Sequence, residues 1–190
     1  MQKFREWAFR MRGGLWTLLF IAILFMSEKA TLRRVIPALV IVIAGQLWRC
    51  WASGCIGLYR GENVKANSLA SKGAYALMRN PLYFGNFLIG LGWSIIAGFR
   101  AVIIFVVSFY VLYVLVIIPH EEKFLHQKFG REYEDYCVRV KRFFPVHISM
   151  KDLAVSFNKD ILMRSEIHTI YSTIAGTFII IAVSCYTYFS

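Results

Sequence analysis

Five apolar stretches, roughly Leu15–Met26, Val35–Ile56, Pro81–Phe99, Ala101–Ile118 and Ile167–Phe189, occupy about half of a 190-residue chain. About 20 apolar residues are needed to cross a bilayer, and in lipid every backbone polar group must be satisfied within the protein. Few folds meet both conditions at this length. The expectation is a single all-α integral membrane domain over residues 1–190, with about five transmembrane helices. Composition agrees: 58% of the residues are hydrophobic, against about 45–50% in a typical soluble domain, and the mean hydropathy is +0.54.

The first stretch is short. It must borrow Trp7–Phe9, with Arg10 and Arg12 snorkelling, or else lie tilted or partly re-entrant. Lys3, Arg5, Arg10 and Arg12 before it resemble a signal-peptide start, but "FMSEKAT" lacks a small-x-small cleavage pattern, so an uncleaved span is expected. Only Gly98, Phe99 and Arg100 separate the third and fourth stretches, which predicts a tight antiparallel helical hairpin. Four cysteines without a CxxC pair and four histidines without HxxxH point to no dedicated metal site.

Charge sets the orientation. With the N-terminus in the cytoplasm, 18 of the 22 lysines and arginines fall inside, and only Lys29, Arg33, Arg34 and Arg100 fall outside. The C-terminus is then external. The net charge of +11 reads as positive-inside bias plus attraction to anionic headgroups. The basic residues are scattered around membrane anchors and form no nucleic-acid-binding patch.

Several polar residues resist a purely structural reading. Arg49 lies in the inner part of the second stretch, where it either snorkels or faces a polar cavity and pairs with an anion there. In "LMRNPLYFG", Asn80 suits a helix N-cap and Pro81 the first helical position, which leaves Arg79, Tyr83 and Gly85 unexplained. Glu121 and Glu122 sit just beneath the hydrocarbon and repel each other, so they need a cation. That cation is a ligand or a side chain such as Lys123 or Arg142. After them Leu125, Phe129, Tyr133, Tyr136, Val140 and Phe144 recur at spacings of three and four. Such an amphipathic stripe predicts an interfacial helix on the cytoplasmic leaflet between the fourth and fifth spans, interrupted near Gly130. Pro119 marks the expected membrane exit.

The ordered set Gly73, Tyr75, Arg79, Asn80, Pro81, Tyr83 and Gly85, then a helical hairpin, then Glu121, Glu122, Leu125, Phe129, Gly130, Tyr133 and Tyr136, closing with Val140, Arg142, Phe143 and Pro145, resembles the integral-membrane methyltransferases of the isoprenylcysteine carboxyl methyltransferase and phospholipid methyltransferase group. The resemblance covers residues 69–145. It implies S-adenosylmethionine bound at the cytoplasmic face and methyl transfer to a lipid or prenylated, hydrophobic acceptor from the inner leaflet. On that reading Arg79 and the helix N-terminus at Asn80 take the cofactor's carboxylate. Glu121 or Glu122 takes its ammonium, and Tyr75, Tyr83 or Tyr136 meets the nucleoside or sulfonium. Gly73 and Gly85 permit close approach, and Arg142 belongs to the same binding set. Arg49 is the candidate for holding an anionic headgroup, and Glu122 or His120 for a base if the acceptor is an amine or thiol. The alternatives are an NAD(P)H-dependent membrane reductase of the sterol-reductase type and a non-catalytic scaffold.

The charge asymmetry yields a direct test of topology. Single cysteines placed at Lys65 and at Ser190 label from opposite sides of the membrane; labelling of both from one side shows that a span has been miscounted.

Overall fold

The computed structural model describes residues 2–56, 69–143, 153 and 159–186. Arg60, Lys65, Phe144, Pro145 and Ser190, which carry parts of the orientation and motif readings, lie outside the described residues. Among the described residues every element is helical: α1 (Gln2–Arg10), α2 (Arg12–Phe25), α3 (Leu32–Gly54), α4 (Ala74–Leu77), α5 (Pro81–Ala97), α6 (Phe99–Phe109), a π-helical stretch (Tyr110–Ile117), α7 (Ile118–Phe129), α8 (Arg131–Arg139) and α9 (Lys159–Tyr186).

Among the described residues three helices are long and apolar enough to cross a membrane: Leu32–Gly54, Phe99–Phe129 and Glu166–Tyr186. Phe4–Arg10 and Arg12–Phe25 form a pair bent by 72°, a fourth span if counted as one. This is an integral membrane protein with three or four candidate spans. The third expected stretch forms α5, whose 17 residues reach about 25 Å at 1.5 Å per residue, short of a hydrocarbon core of about 30 Å. Its ends explain the length: Pro81 opens the helix, and Gly98, at φ 126°, closes it. The expected hairpin forms there, with α6 beginning at Phe99.

Pro119 does not end its helix. The span runs unbroken from Phe99 to Phe129. A proline inside a helix lacks an N–H and crowds the carbonyl four residues back. The wider π turn just before it, over Tyr110–Ile117, relieves that conflict.

α3 and α5 pack so closely that side chains are excluded at the contact. A Cβ on Gly85 would lie 2.4 Å from Arg49 Cγ and 3.0 Å from the Gly45 carbonyl oxygen. Small residues permit such approach between membrane helices, where packing replaces the hydrophobic drive. The Trp48 indole N–H donates to the Pro81 carbonyl at 3.0 Å and fixes the start of α5 against α3. On the other side of α5, Trp16 of α2 sits edge-on to Phe105, Phe109 and Tyr113, and Phe20 packs on Trp93. At one end of the bundle the Glu28 N–H donates to Ala97 and the Ala30 N–H to Ser184. The turn after α2, the Gly98 turn and the C-terminal end of α9 therefore share one end. Arg12, Arg49, Pro81, Glu121 and Glu166 belong to the other.

The stripe after Glu122 packs inward. Gly130, at φ 50°, separates α7 from α8, and Tyr133, Tyr136 and Val140 form a small second core with Leu69, Leu125, Phe129 and Cys137. Part of the apolar face packs on Leu69, in the segment that leads into α4.

Close packing of α3 on α5 is testable at Gly92. Its Cβ would lie 2.5 Å from Val42 Cγ2 and 2.8 Å from the Ala38 carbonyl oxygen. Gly92→Ala is expected to cost about 1–3 kcal/mol, a fall in Tm of about 2–4 °C per kcal/mol by thermal unfolding in detergent. Gly14→Ala, whose Cβ meets only Met11 Cε at 3.7 Å, leaves Tm unchanged or raises it.

Candidate functional site

A cavity of about 480 Å³ opens between α2, α3, α5, the π-helical stretch and α9. Its lining brings together six residues that the sequence singles out: Arg49, Tyr75, Arg79, Asn80, Tyr83 and Glu121. Pockets of 300–1,000 Å³ with a few convergent polar groups are typical of small-molecule sites.

The wall from residue 73 to 86 is built by a turn and a helix start. Gly73, at φ 63°, precedes the single turn of α4, a conformation that needs no Cβ. The chain then extends through Met78, and the Arg79 N–H donates to the Lys141 carbonyl at 2.9 Å. Asn80 occupies the cap position of α5, yet its side chain makes no capping hydrogen bond. The expected cap position and the Pro81 helix start are both present, without the side-chain bond. The Asn80 amide nitrogen is buried without a partner, as is Arg79 Nε. The first-turn N–H groups of α5 are therefore not consumed by a side-chain cap, and the cavity is lined there by Pro81, Leu82 and Tyr83.

The two glutamates have different partners. Tyr83 donates its hydroxyl to Glu121 Oε2 at 2.7 Å, and Glu121 lines the cavity. Glu122 points away from it, taking both Arg142 Nε and Nη2 at 2.6–3.1 Å and Arg79 Nη2 at 3.5 Å. Arg142 thus supplies the cation that the carboxylate pair requires. Arg79 also donates to Cys137 Sγ at 2.7 Å. Burial by itself lowers the Arg79 pKa, but Glu122 and Cys137 outweigh it and the net shift is upward, so the guanidinium stays charged. Burial pushes the Tyr136 and Tyr133 phenols above their ordinary range, and the Tyr136 hydroxyl donates to the Tyr75 carbonyl at 2.7 Å. Tyr136 is a strut that holds the cavity wall from behind and does not line it.

Arg49 answers the sequence question in an unexpected way. It lines the cavity, but its anion comes from this chain. Nε and Nη2 donate to the two oxygens of Glu166 at 3.1 and 3.0 Å, Nη1 to Asn86 and Nη2 to Thr169 at 3.4 Å. Glu166 is fully buried. The snorkelling alternative is excluded, and the charge is already neutralised. Gly85 is likewise corrected: its missing side chain makes room for α3, and it does not line the cavity. Nor do Gly73, His120, Glu122, Tyr136 or Arg142. The His120 ring packs on Phe9, with centroids 5.4 Å apart.

Sequence reasoning missed Glu166, Asn86, Tyr113, Arg12 and His168, all on or behind the lining. A signal for Glu166 existed: an acidic residue at the head of the last apolar stretch is the natural partner for an arginine inside another. Thr169, Thr173 and Thr177, four residues apart, mark the same polar face of α9. Thr173 donates to Gln46 at 2.7 Å, and Trp93 donates to Thr177 at 2.9 Å. Among the described residues, no group of three or more His, Cys, Asp or Glu side chains could hold a metal ion.

Residues 32–132, just over half of the chain, match the family model described as phospholipid methyltransferase. A probable protein-S-isoprenylcysteine O-methyltransferase of Oryza sativa subsp. indica is 36% identical over 119 residues, 56% of this chain and 59% of that protein. A Delta(14)-sterol reductase of Mus musculus is 31% identical over 88 residues, 44% of this chain and 20% of the reductase. A Delta(14)-sterol reductase of Gallus gallus is 32% identical over 82 residues, 41% of this chain and 12% of the reductase. The chain covers under two thirds of the length of each of these relatives. No solved structure matches.

The Arg49–Glu166 pair makes a stability prediction. Breaking a buried pair strands a charge and costs about 3–5 kcal/mol, whereas replacing both partners with apolar residues is often neutral or stabilising. Glu166→Gln should lower Tm in detergent by about 2–4 °C per kcal/mol lost. Arg49→Leu combined with Glu166→Leu should recover most of the loss.

Proposed function

Since this chain belongs to the phospholipid methyltransferase family, we propose that it is an S-adenosylmethionine-dependent methyltransferase acting on a lipid or lipid-like acceptor. The observation that carries the reading is the pair of buried, unpartnered donors, Arg79 Nε and Asn80 Nδ2, at one wall of a cavity that also holds the Glu121 carboxylate. An amino-acid end, with its carboxylate and ammonium, needs both kinds of group. The residues present fit such a cofactor.

Arg79 and the first turn of α5 offer N–H donors to a carboxylate, aided by the helix dipole. Glu121, oriented by the Tyr83 hydroxyl, offers its carboxylate to an ammonium. Glu122 and Arg142 hold Arg79 in position from outside the cavity, and Tyr136 holds Tyr75. When bound, S-adenosylmethionine supplies an electrophilic methyl group on a sulfonium. The protein's part is alignment and exclusion of water. An anionic oxygen acceptor needs no base. For an amine or thiol acceptor, Glu121 and His168 are the proton-accepting side chains at the cavity, in place of Glu122 and His120. The site end carries most of the basic residues, which supports a cytoplasmic active site. The rice relative's name supports a prenylated acceptor, and the family's name a phospholipid.

The test is cofactor binding by the purified protein, followed by lipid mass spectrometry for a 14-dalton shift dependent on the gene. S-adenosylmethionine and its demethylated product should bind, and NADPH should not. Arg79→Ala should weaken cofactor binding by more than tenfold, since truncating one partner of a buried charge-assisted contact costs about 2–5 kcal/mol. Binding of NADPH alone would favour the reductase relatives' chemistry.

A further inference from the structure

We propose that Arg12, on the N-terminal helix pair, holds the anionic group of the methyl acceptor. This rests on the methyltransferase reading above and assigns its second substrate. Three arginines line the cavity: Arg12, Arg49 and Arg79. Arg49 is held bidentately by Glu166, and Arg79 shares Glu122 with Arg142. Among the described residues no carboxylate forms an ion pair with Arg12. Its guanidinium lies 4.2 Å from the centroid of the Phe9 ring, a cation–π contact that orients the side chain.

The bend in the chain is what brings Arg12 to the cavity. α1 and α2 meet at 72°, so the first residue of α2, itself exposed, borders the cavity beside Gly13, Trp16 and Thr17, which also line it. Phe9, on the last turn of α1, has Arg12 and His120 as neighbours. These residues precede the family-matching segment at 32–132, whereas Arg79, Asn80, Tyr83 and Glu121 lie within it. The shared part of the fold supplies the groups assigned to the cofactor, and the N-terminal pair supplies a cation that the cofactor does not require.

The guanidinium selects the ligand. Glu121, at the same cavity, is the counter-charge assigned to the cofactor's ammonium, so Arg12 is the cation left for the acceptor, and a guanidinium fork suits either a carboxylate or a phosphate. The shared chemistry is an oxyanion on a hydrocarbon chain.

The test uses the full-length protein in phosphatidylcholine nanodiscs and two matched pairs of probes. N-acetyl-S-farnesylcysteine against its neutral amide reads a carboxylate; lysophosphatidic acid against monoacylglycerol reads a phosphate. The wild type should prefer the charged member of one pair by about tenfold or more in equilibrium binding, and that pair identifies the oxyanion. Arg12→Gln should abolish the preference with cofactor affinity unchanged, and Arg12→Lys should retain part of it. Arg10→Gln, exposed outside the cavity on α1, should have no effect. No preference in the wild type, a preference that survives Arg12→Gln, or an equal loss in Arg10→Gln overturns the assignment. Because these are binding measurements, they separate from failure of the catalytic reading, which would appear as no transfer of labelled methyl from S-adenosylmethionine to either lipid class.

Discussion

One guanidinium joins three helices. Arg49 of α3 reaches Glu166 and Thr169 on α9 and Asn86 on α5. In hydrocarbon neither charge could stand alone, because an unpaired buried ion costs several kcal/mol. The pair needs α3 and α9 in place, and the remaining guanidinium donor is satisfied only when α5 brings Asn86. Below it, Gln46–Thr173 and Trp93–Thr177 continue the polar seam along α9. Hydrogen bonds between membrane helices are individually modest, but this series sets the position of α9 relative to α3 and α5. The cavity lies in the space those three helices define with α2.

The chemistry of the cavity depends on groups that never enter it. Glu122 is tied to Arg142 and Arg79, so it fixes the side chain that faces the cavity without being available there. Tyr136 does the same for Tyr75 through a backbone carbonyl. The small core of α8 against Leu69 holds Tyr136 in place. This arrangement leaves two buried donors without a partner at the wall, Arg79 Nε and Asn80 Nδ2, with Glu121 and Arg12 on the same lining. The proposed function assigns its ligands to these groups.

Much of this was legible in the chain. The apolar stretches, the Gly98 hairpin and the break at Gly130 follow from local rules: hydrocarbon thickness, helix length and the conformational freedom of glycine. Of the motif from Gly73 to Arg142, Tyr75, Arg79, Asn80, Tyr83 and Glu121 line one cavity. The assignments that shifted are those that hinge on where a side chain points. Gly85 serves helix contact, Tyr136 and Arg142 act from behind the wall, and Arg49 meets an internal anion. Linear spacing cannot distinguish a residue that faces a ligand from one that braces its neighbour, because both lie on the same short stretch.

The sequence alone determined that this is a helical membrane protein, which end carries its charge and which segment holds several residues of one cavity wall. Those properties depend on composition and on spacing within one element, and both are local. Only the tertiary structure decided that Arg49 pairs with Glu166, 117 residues away, that α5 is too short to be counted with the three long spans, and that a 72° bend carries Arg12 to the cavity. Each of these depends on distances between helices. A buried charge takes whichever partner the packing brings within about 3 Å, and nothing in the order of residues along the chain specifies that distance.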